Sequence, residues 1–159
     1  MRICSKFNEV DKTVGLIVNP RSGGDVRRAV AAAARSTLED KVSIVRRIVL
    51  GSMAVGIRTF YANYEPMQIM RRATETLRDI KVNYVNESMT FTEEDSTIAA
   101  QLMNDIGVPC VAVLGGDGTN RAVTKGWRDI PVIPISTGTN NAFPVFIEPT
   151  VAGTALGLV

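Results

Sequence analysis

Histidine is absent from all 159 residues. That removes the Ser-His-Asp triad, the Cys-His pair and every zinc site built on imidazole. Cysteine occurs twice, as Cys4 and Cys110, with no C-x-x-C spacing. The two read as reduced thiols, Cys110 being a small apolar filler in a strand. No apolar run approaches the roughly 20 residues of a membrane-spanning helix. Residues 1–6 (MRICSK) lead into polar residues and not into an apolar signal core. Neither sign of charge dominates: 18 Lys and Arg face 16 Asp and Glu, a formal +2. The basic residues are dispersed, pairing at Arg27-Arg28, Arg46-Arg47 and Arg71-Arg72. Nucleic acid and membrane surfaces are therefore not expected as partners, and the cytoplasm is the expected compartment. Two phosphate-binding strings are missing as well. G-x-x-x-x-G-K-[ST] does not occur, and G-x-G-x-x-G fails because Arg121 stands where the last glycine belongs.

What the chain does have is the length of about one domain, with 45% hydrophobic and 21% charged residues. Its most informative stretch is residues 111–120 (VAVLGGDGTN). An apolar strand runs into Gly115, Gly116 and Gly118, which surround Asp117. Such a turn leaves backbone N–H groups free of side-chain cover and suited to phosphate oxygens. A carboxylate in their midst would repel a bare phosphate, so it makes sense as a Mg²⁺ ligand or as the base for an attacking hydroxyl. A phosphate cradle with one acid points to phosphoryl transfer.

Periodicity places this stretch in an α/β chain. Residues 13–19 (TVGLIVN), 57–62 (IRTFYA), 81–86 (KVNYVN), 109–114 (PCVAVL) and 131–136 (PVIPIS) read as strands. Helices are expected over 26–35 behind an Asp25 cap, over 40–53, 67–79, 92–105 and 120–127, and from 150 onward. Thr92 with Asp95 resembles a capping box at the start of one of them. Strands alternating with helices predict a Rossmann-like parallel sheet with helices on both faces. Residues 1–12 form an N-terminal extension, and 13–159 form the α/β domain. Thr150 to Val159 ends in apolar residues without a helix-stop signal, which reads as the cut end of a longer chain. The same apolar end would suit self-association into a homo-oligomer.

Three polar glycine loops follow strands, at 19–24, 115–121 and 136–141. In parallel sheets, ligands gather at the carboxyl ends of strands, so the three loops are expected on one edge. Arg121 and Lys125 lie four apart on one helix face and suit charge neutralisation or a solvated basic surface. Arg21, in the first loop, is the better candidate for a mobile phosphate contact. Phe60, Tyr61 and Tyr64 read as packing, Trp127 as a packing anchor, and Met67, Met70 and Met103 as gap fillers. Residues 92–95 (TEED) read first as a helix start, where acids suit the helix dipole.

Asn19-Pro20-x-Ser22-Gly23-Gly24, Gly115-Gly116-Asp117-Gly118-Thr119 and Gly138-Thr139-Asn140-Asn141-Ala142-Phe143 occur in the order found in the ATP–NAD kinase-like and diacylglycerol kinase-like superfamily. The chain resembles most the ATP–NAD kinase branch of the acetoin-catabolism X type, over about residues 13–159. That resemblance implies a Rossmann-like domain followed by an all-β domain, with the active site in the cleft between them. It also implies Mg²⁺, ATP as donor and NAD as an acceptor, with small nucleotides as the partners. By position it implies Asp117 as the base or the Mg²⁺ ligand. Gly115, Gly116, Gly118 and Thr119 would cradle phosphates at a helix N-terminus. Gly138, Thr139, Asn140 and Asn141 would bind ribose or phosphate, and Asn19, Ser22 and Gly23 would contribute from the first loop. Lipid kinases carry an acid where Ala142 stands, and the Asn-Glu pair of NAD kinases has no counterpart after residue 141. The expected function is an ATP-dependent phosphotransferase resembling NAD kinase. The alternatives are a lipid or sphingoid-base kinase, and a non-catalytic nucleotide-binding regulator of acetoin metabolism.

Overall fold

Near-continuous apolar runs, flanked by turn residues, form strands that are covered on both faces. In the computed structural model, which describes residues 12–23, 36–86, 88–137 and 141–159, five strands build one parallel sheet, the central ones of this kind. They are β1 (Thr13–Val18), β2 (Thr59–Ala62), β3 (Lys81–Tyr84), β4 (Val111–Gly115) and β5 (Val132–Ser136). Their order is β3-β2-β1-β4-β5, and every adjacent pair is parallel. Leu16 stands opposite Ala62 on one side and Ala112 on the other, which fixes the register at the centre. The α/β class expected from the sequence is thus the class observed. The expected helix at 26–35, its Asp25 cap and residues 1–11 of the N-terminal extension lie outside the described residues.

The helices are α1 (Leu38–Ala54), α2 (Ile69–Thr74), α3 (Glu94–Ile106), α4 (Asp117–Gly126) and α5 (Pro149–Leu156). Period-2 alternation along the strands splits their apolar side chains between two layers. Val14, Leu16, Val18, Ala112 and Leu114 pack with α1, α2 and α5. Ile17, Val111 and Val113 pack with α3 and α4 on the opposite face. The chain therefore steps outward from β1 through β2 to β3 with helices on one face. It then returns over the other face to lay β4 beside β1. The reversal makes the carboxyl ends of β1 and β4 a topological switch point, the place where a crevice opens in open α/β sheets.

Glycines let the helices meet closely on each face. A Cβ at Gly153 of α5 would overlap the Ile48 carbonyl of α1, and one at Gly51 would overlap the Thr150 carbonyl. Ser52 Oγ donates to the Gly153 carbonyl at 2.8 Å across that contact. On the other face, Gly126 of α4 lies against the Thr97 carbonyl of α3, and Thr97 Oγ1 donates to Ala122 O at 2.8 Å.

Several boundaries differ from those the sequence suggests. The helix expected over 67–79 is confined to Ile69–Thr74, with left-handed residues at Gln68 and Asp79 outside its ends. The capping box forms at Thr37 and Asp40, where each side chain bonds the other's backbone N–H. Thr92 and Asp95 make no such box, because α3 starts at Glu94 and Asp95 bonds upstream to Thr90 and Phe91. The helix expected from Asn120 starts instead at Asp117. Met70 and Met103 are core side chains as expected, whereas Met67 is exposed.

Candidate functional site

A cleft of about 800 Å³ opens at the switch point. Its walls are the loops that follow β1, β2, β3 and β4, together with residues after β5. Asn19, Ser22 and Gly23 line it from the first loop, Gly116, Asp117, Gly118 and Thr119 from the second, and Thr137 and Asn141 from the third. Gly138, Thr139 and Asn140 lie outside the described residues.

The loops are cross-bonded. Asn19 Nδ2 donates to Thr119 Oγ1 at 2.8 Å, and Asn19 Oδ1 accepts from Arg21 N at 2.9 Å. Ser22 Oγ donates to Asn19 O at 2.7 Å and accepts from Thr137 Oγ1 at 2.7 Å. Asn141 Nδ2 donates to Ser136 Oγ at 2.9 Å. Asp117 closes the set. Its carboxylate accepts from the Ala142 N–H at 2.9 Å and from the Phe143 N–H at 2.9 Å. Those two amides hold its pKa below the ordinary carboxylate value. The group is ionised at neutral pH and a weak base.

The three glycines that the sequence suggests as one cradle have three different surroundings. Gly115 is the last residue of β4, and a Cβ there would fall 2.5 Å from the Thr119 side chain. Gly116 is the N-cap of α4, and its Cβ would lie 2.8 Å from Asn141 Oδ1. Gly118, in the first helical turn, has no described residue outside its own helical turn within 4 Å of the place where a Cβ would stand. It lines the cleft with bare backbone at the N-terminus of an α-helix, where amide donors and the helix dipole suit an anion. The segment is therefore a helix start and not an extended loop, and its first-turn amides face one way.

Arg121 stands apart from the cleft lining. Its guanidinium reaches Glu93 at 3.5 Å, and Lys125 Nζ bonds the same carboxylate at 2.8 Å. Lys125, with help from Arg121, holds the Glu93 pKa below its ordinary value. Arg21 Nη1 spans from the first loop to the Phe91 carbonyl at 3.3 Å.

Several cleft residues were not singled out for function from the sequence. Asn63, just beyond β2, pairs with the backbone N–H and C=O of Val18. Glu65 is buried and accepts from the N–H groups of Met67 and Ile69. Burial raises its pKa against the pull of those bonds and of the nearby Lys41 charge. Lys41, also buried, donates to the Pro20 carbonyl behind the first loop, and burial lowers its pKa. Tyr64, Met89 and Phe91 line the cleft too. For all but Lys41, which lies in α1, the signal available in the sequence was position, since each follows a strand on the carboxyl edge.

Among the described residues no three acidic or thiol groups cluster to hold a metal by themselves. Mg²⁺ ordinarily takes one or two carboxylates together with substrate phosphates. Asp117 beside the open backbone of Gly118 fits that donor set. Among the described residues, no helix is long and apolar enough to cross a membrane.

A family model, the ATP-NAD kinase N-terminal domain, matches residues 14–159. Acetoin catabolism protein X of Cupriavidus necator is 37% identical over 158 residues, which covers 94% of this chain and 44% of that protein. The chain thus spans less than half the length of that relative. No solved structure matches the chain significantly.

Proposed function

The chain belongs to the ATP–NAD kinase family, and from that premise we propose that it binds Mg²⁺-ATP in the cleft and serves transfer of the γ-phosphoryl to a hydroxyl such as one on the ribose of NAD. The observation that carries this reading is Gly118: bare helix-start backbone, with no neighbour among the described residues outside its own helical turn within 4 Å of its absent Cβ, beside an ionised Asp117. The first-turn amides of α4 and Thr119 hold phosphate oxygens, and Asn19 and Ser22 hold the facing wall. Gly138, Thr139, Asn140 and Asn141 complete the ribose and phosphate contacts. Asp117 orients the acceptor hydroxyl and takes its proton as the bond forms, or shares in holding Mg²⁺. Bound Mg²⁺ supplies charge neutralisation on the phosphates. Phosphoryl transfer has a loose transition state in which placement outweighs base strength, so a carboxylate of low pKa is adequate.

In this reading the α/β domain spans residues 13–159, and catalysis draws on the second, strand-rich domain that the family resemblance implies. A second reading follows from the relative's name. Because that relative is called acetoin catabolism protein X, the protein would act as a nucleotide-binding regulator of acetoin metabolism without turnover. A lipid acceptor is disfavoured, because Ala142 leaves only an amide, and no acidic side chain, facing Asp117.

Calorimetric titration with Mg²⁺-ATP and with NAD tests the reading, with Asp117→Asn as the comparison. Binding by the chain, plus loss of NAD phosphorylation in the Asp117→Asn longer protein, supports the kinase. Binding with no turnover in the longer protein supports the regulator. Full turnover by Asp117→Asn would remove that residue from the chemistry.

A further inference from the structure

One wall of the cleft takes no part in holding phosphate. It is formed by residues 88–96, between β3 and α3, and its shape is set by Asp95 in the first turn of α3. Asp95 Oδ1 accepts from Thr90 N at 2.7 Å and from Thr90 Oγ1 at 2.9 Å, while Oδ2 accepts from Phe91 N at 2.9 Å. These bonds turn the loop back on the helix and hold Phe91 at φ 61°. A bulky residue adopts that left-handed conformation only where its surroundings over-determine it. The Phe91 carbonyl is fixed as well, by Arg21 of the first loop at 3.3 Å.

The result is a backbone pinned from both sides that leaves its aromatic side chain 55% exposed. The ring is thus held in contact with solvent at the cleft. Strain stored to present a side chain is a mark of ligand clamps. The same cleft is lined by Met89, by Pro66 and by Tyr64, whose ring meets Tyr84 edge-on at 5.6 Å. Apolar and aromatic surface is thus continuous with the glycine backbone at Gly116 and Gly118 in one crevice. A ligand that fills both parts must be anionic at one end and a flat, apolar-faced ring at the other.

Resting on the nucleotide reading above, we propose that Phe91, with Met89 and Tyr64, is a stacking subsite for the purine base of the nucleotide whose phosphates lie at α4. Asp95 is a positioning residue that holds the stacking ring in place, which gives the acidic segment 92–95 a use beyond starting a helix.

The test compares two ligands that share phosphates and differ in the base: Mg²⁺-ATP and Mg²⁺-tripolyphosphate, titrated into wild type, Phe91→Ala and Phe91→Tyr. One base–aromatic stack is worth about tenfold in affinity. Phe91→Ala should therefore weaken ATP by about tenfold or more, leave tripolyphosphate within about twofold, and be rescued by Phe91→Tyr. Asp95→Asn, with its α3 helicity checked by circular dichroism, should weaken ATP in the same selective way. Unchanged ATP affinity in Phe91→Ala would overturn the subsite and leave the phosphate site standing. Equal losses for both ligands would also overturn it, because Phe91 would then act on loop shape alone. Failure of wild type to bind either ligand would fell the nucleotide reading, and the subsite with it.

Discussion

Gly118→Ala separates stability from binding, with opposite signs. Among the described residues outside its own helical turn the added methyl would meet no atom within 4 Å, and the backbone there is not in the left-handed region. Alanine costs the folded chain nothing in contacts, and it removes the entropy penalty of glycine in a helix, about 0.5–1 kcal/mol. At about 2–4 °C per kcal/mol for a chain of this size, the melting temperature should rise by about 1–4 °C. Binding moves the other way, because the methyl occupies the surface over which phosphate must approach. Loss of one hydrogen bond to a charged oxygen, about 1.5–3 kcal/mol, weakens affinity by roughly ten- to a hundredfold. Differential scanning calorimetry gives the first quantity and titration with Mg²⁺-tripolyphosphate the second. A variant that melts several degrees lower would refute the open space at Gly118. A variant that binds tripolyphosphate as well as wild type would refute the cradle.

Gly153→Ala should behave oppositely, since its Cβ overlaps the Ile48 carbonyl. Overpacking of about 1–3 kcal/mol against a helix gain of about 1 leaves a net loss of up to about 2 kcal/mol, so the melting temperature should fall by up to about 8 °C; a rise would contradict the close approach of α1 and α5. Lys41→Met tests the buried cation behind the first loop. The Lys41 pKa is lowered on folding, so its contribution is present above the ordinary value of 10.5 and lost as pH falls through the folded value. Wild type should therefore gain on the variant in urea midpoint between about pH 7 and about pH 10, and a gap that shrinks would reverse that sign. Asp117→Asn tests the tether to Ala142 and Phe143. The folded pKa lies below the ordinary 3.8, so the carboxylate's contribution is present above 3.8 and lost as pH falls through the folded value. The advantage of wild type over the variant should vanish in that acid window, and an advantage that persists there would point to a different role for the side chain.

The strands were legible because burial on both faces leaves an unbroken apolar run, and β1 and β4 carry that signature plainly. The start of α4 was not. Gly116, Asp117 and Gly118 are poor helix formers, so propensity reads them as loop. What overrides propensity is tertiary: the Asp117 carboxylate seated on two amides 25 and 26 residues later, and Thr119 packed on Gly115 and bonded to Asn19, 100 residues earlier. Local sequence carries none of those partners. The same holds for Lys41, which falls beside the apolar stripe of α1 and is buried only because the Pro20 carbonyl and Glu65 receive it. Asp95 shows the converse. Its role as a cap for an upstream loop needs no distant partner, yet Thr92, three residues before it, offered a more familiar pairing than Thr90 and Phe91, five and four before it.

The seating of Asp117 also bears on how activity should depend on pH. Two amides stabilise its ionised form, so the residue proposed to face the acceptor is deprotonated throughout the neutral range. A rate limited by the protonation state of Asp117 should be flat from about pH 5 to about pH 8. Its acid limb should fall below the ordinary carboxylate value. The measurement is kcat/KM for NAD phosphorylation by a protein in which this domain is joined to the second domain proposed above. An acid limb at about pH 6–7 would require a different titrating group, and Glu65, raised by burial in the same cleft, is the one to substitute next. If Glu65→Gln abolished that limb, the base assignment would move from the helix start to the end of β2.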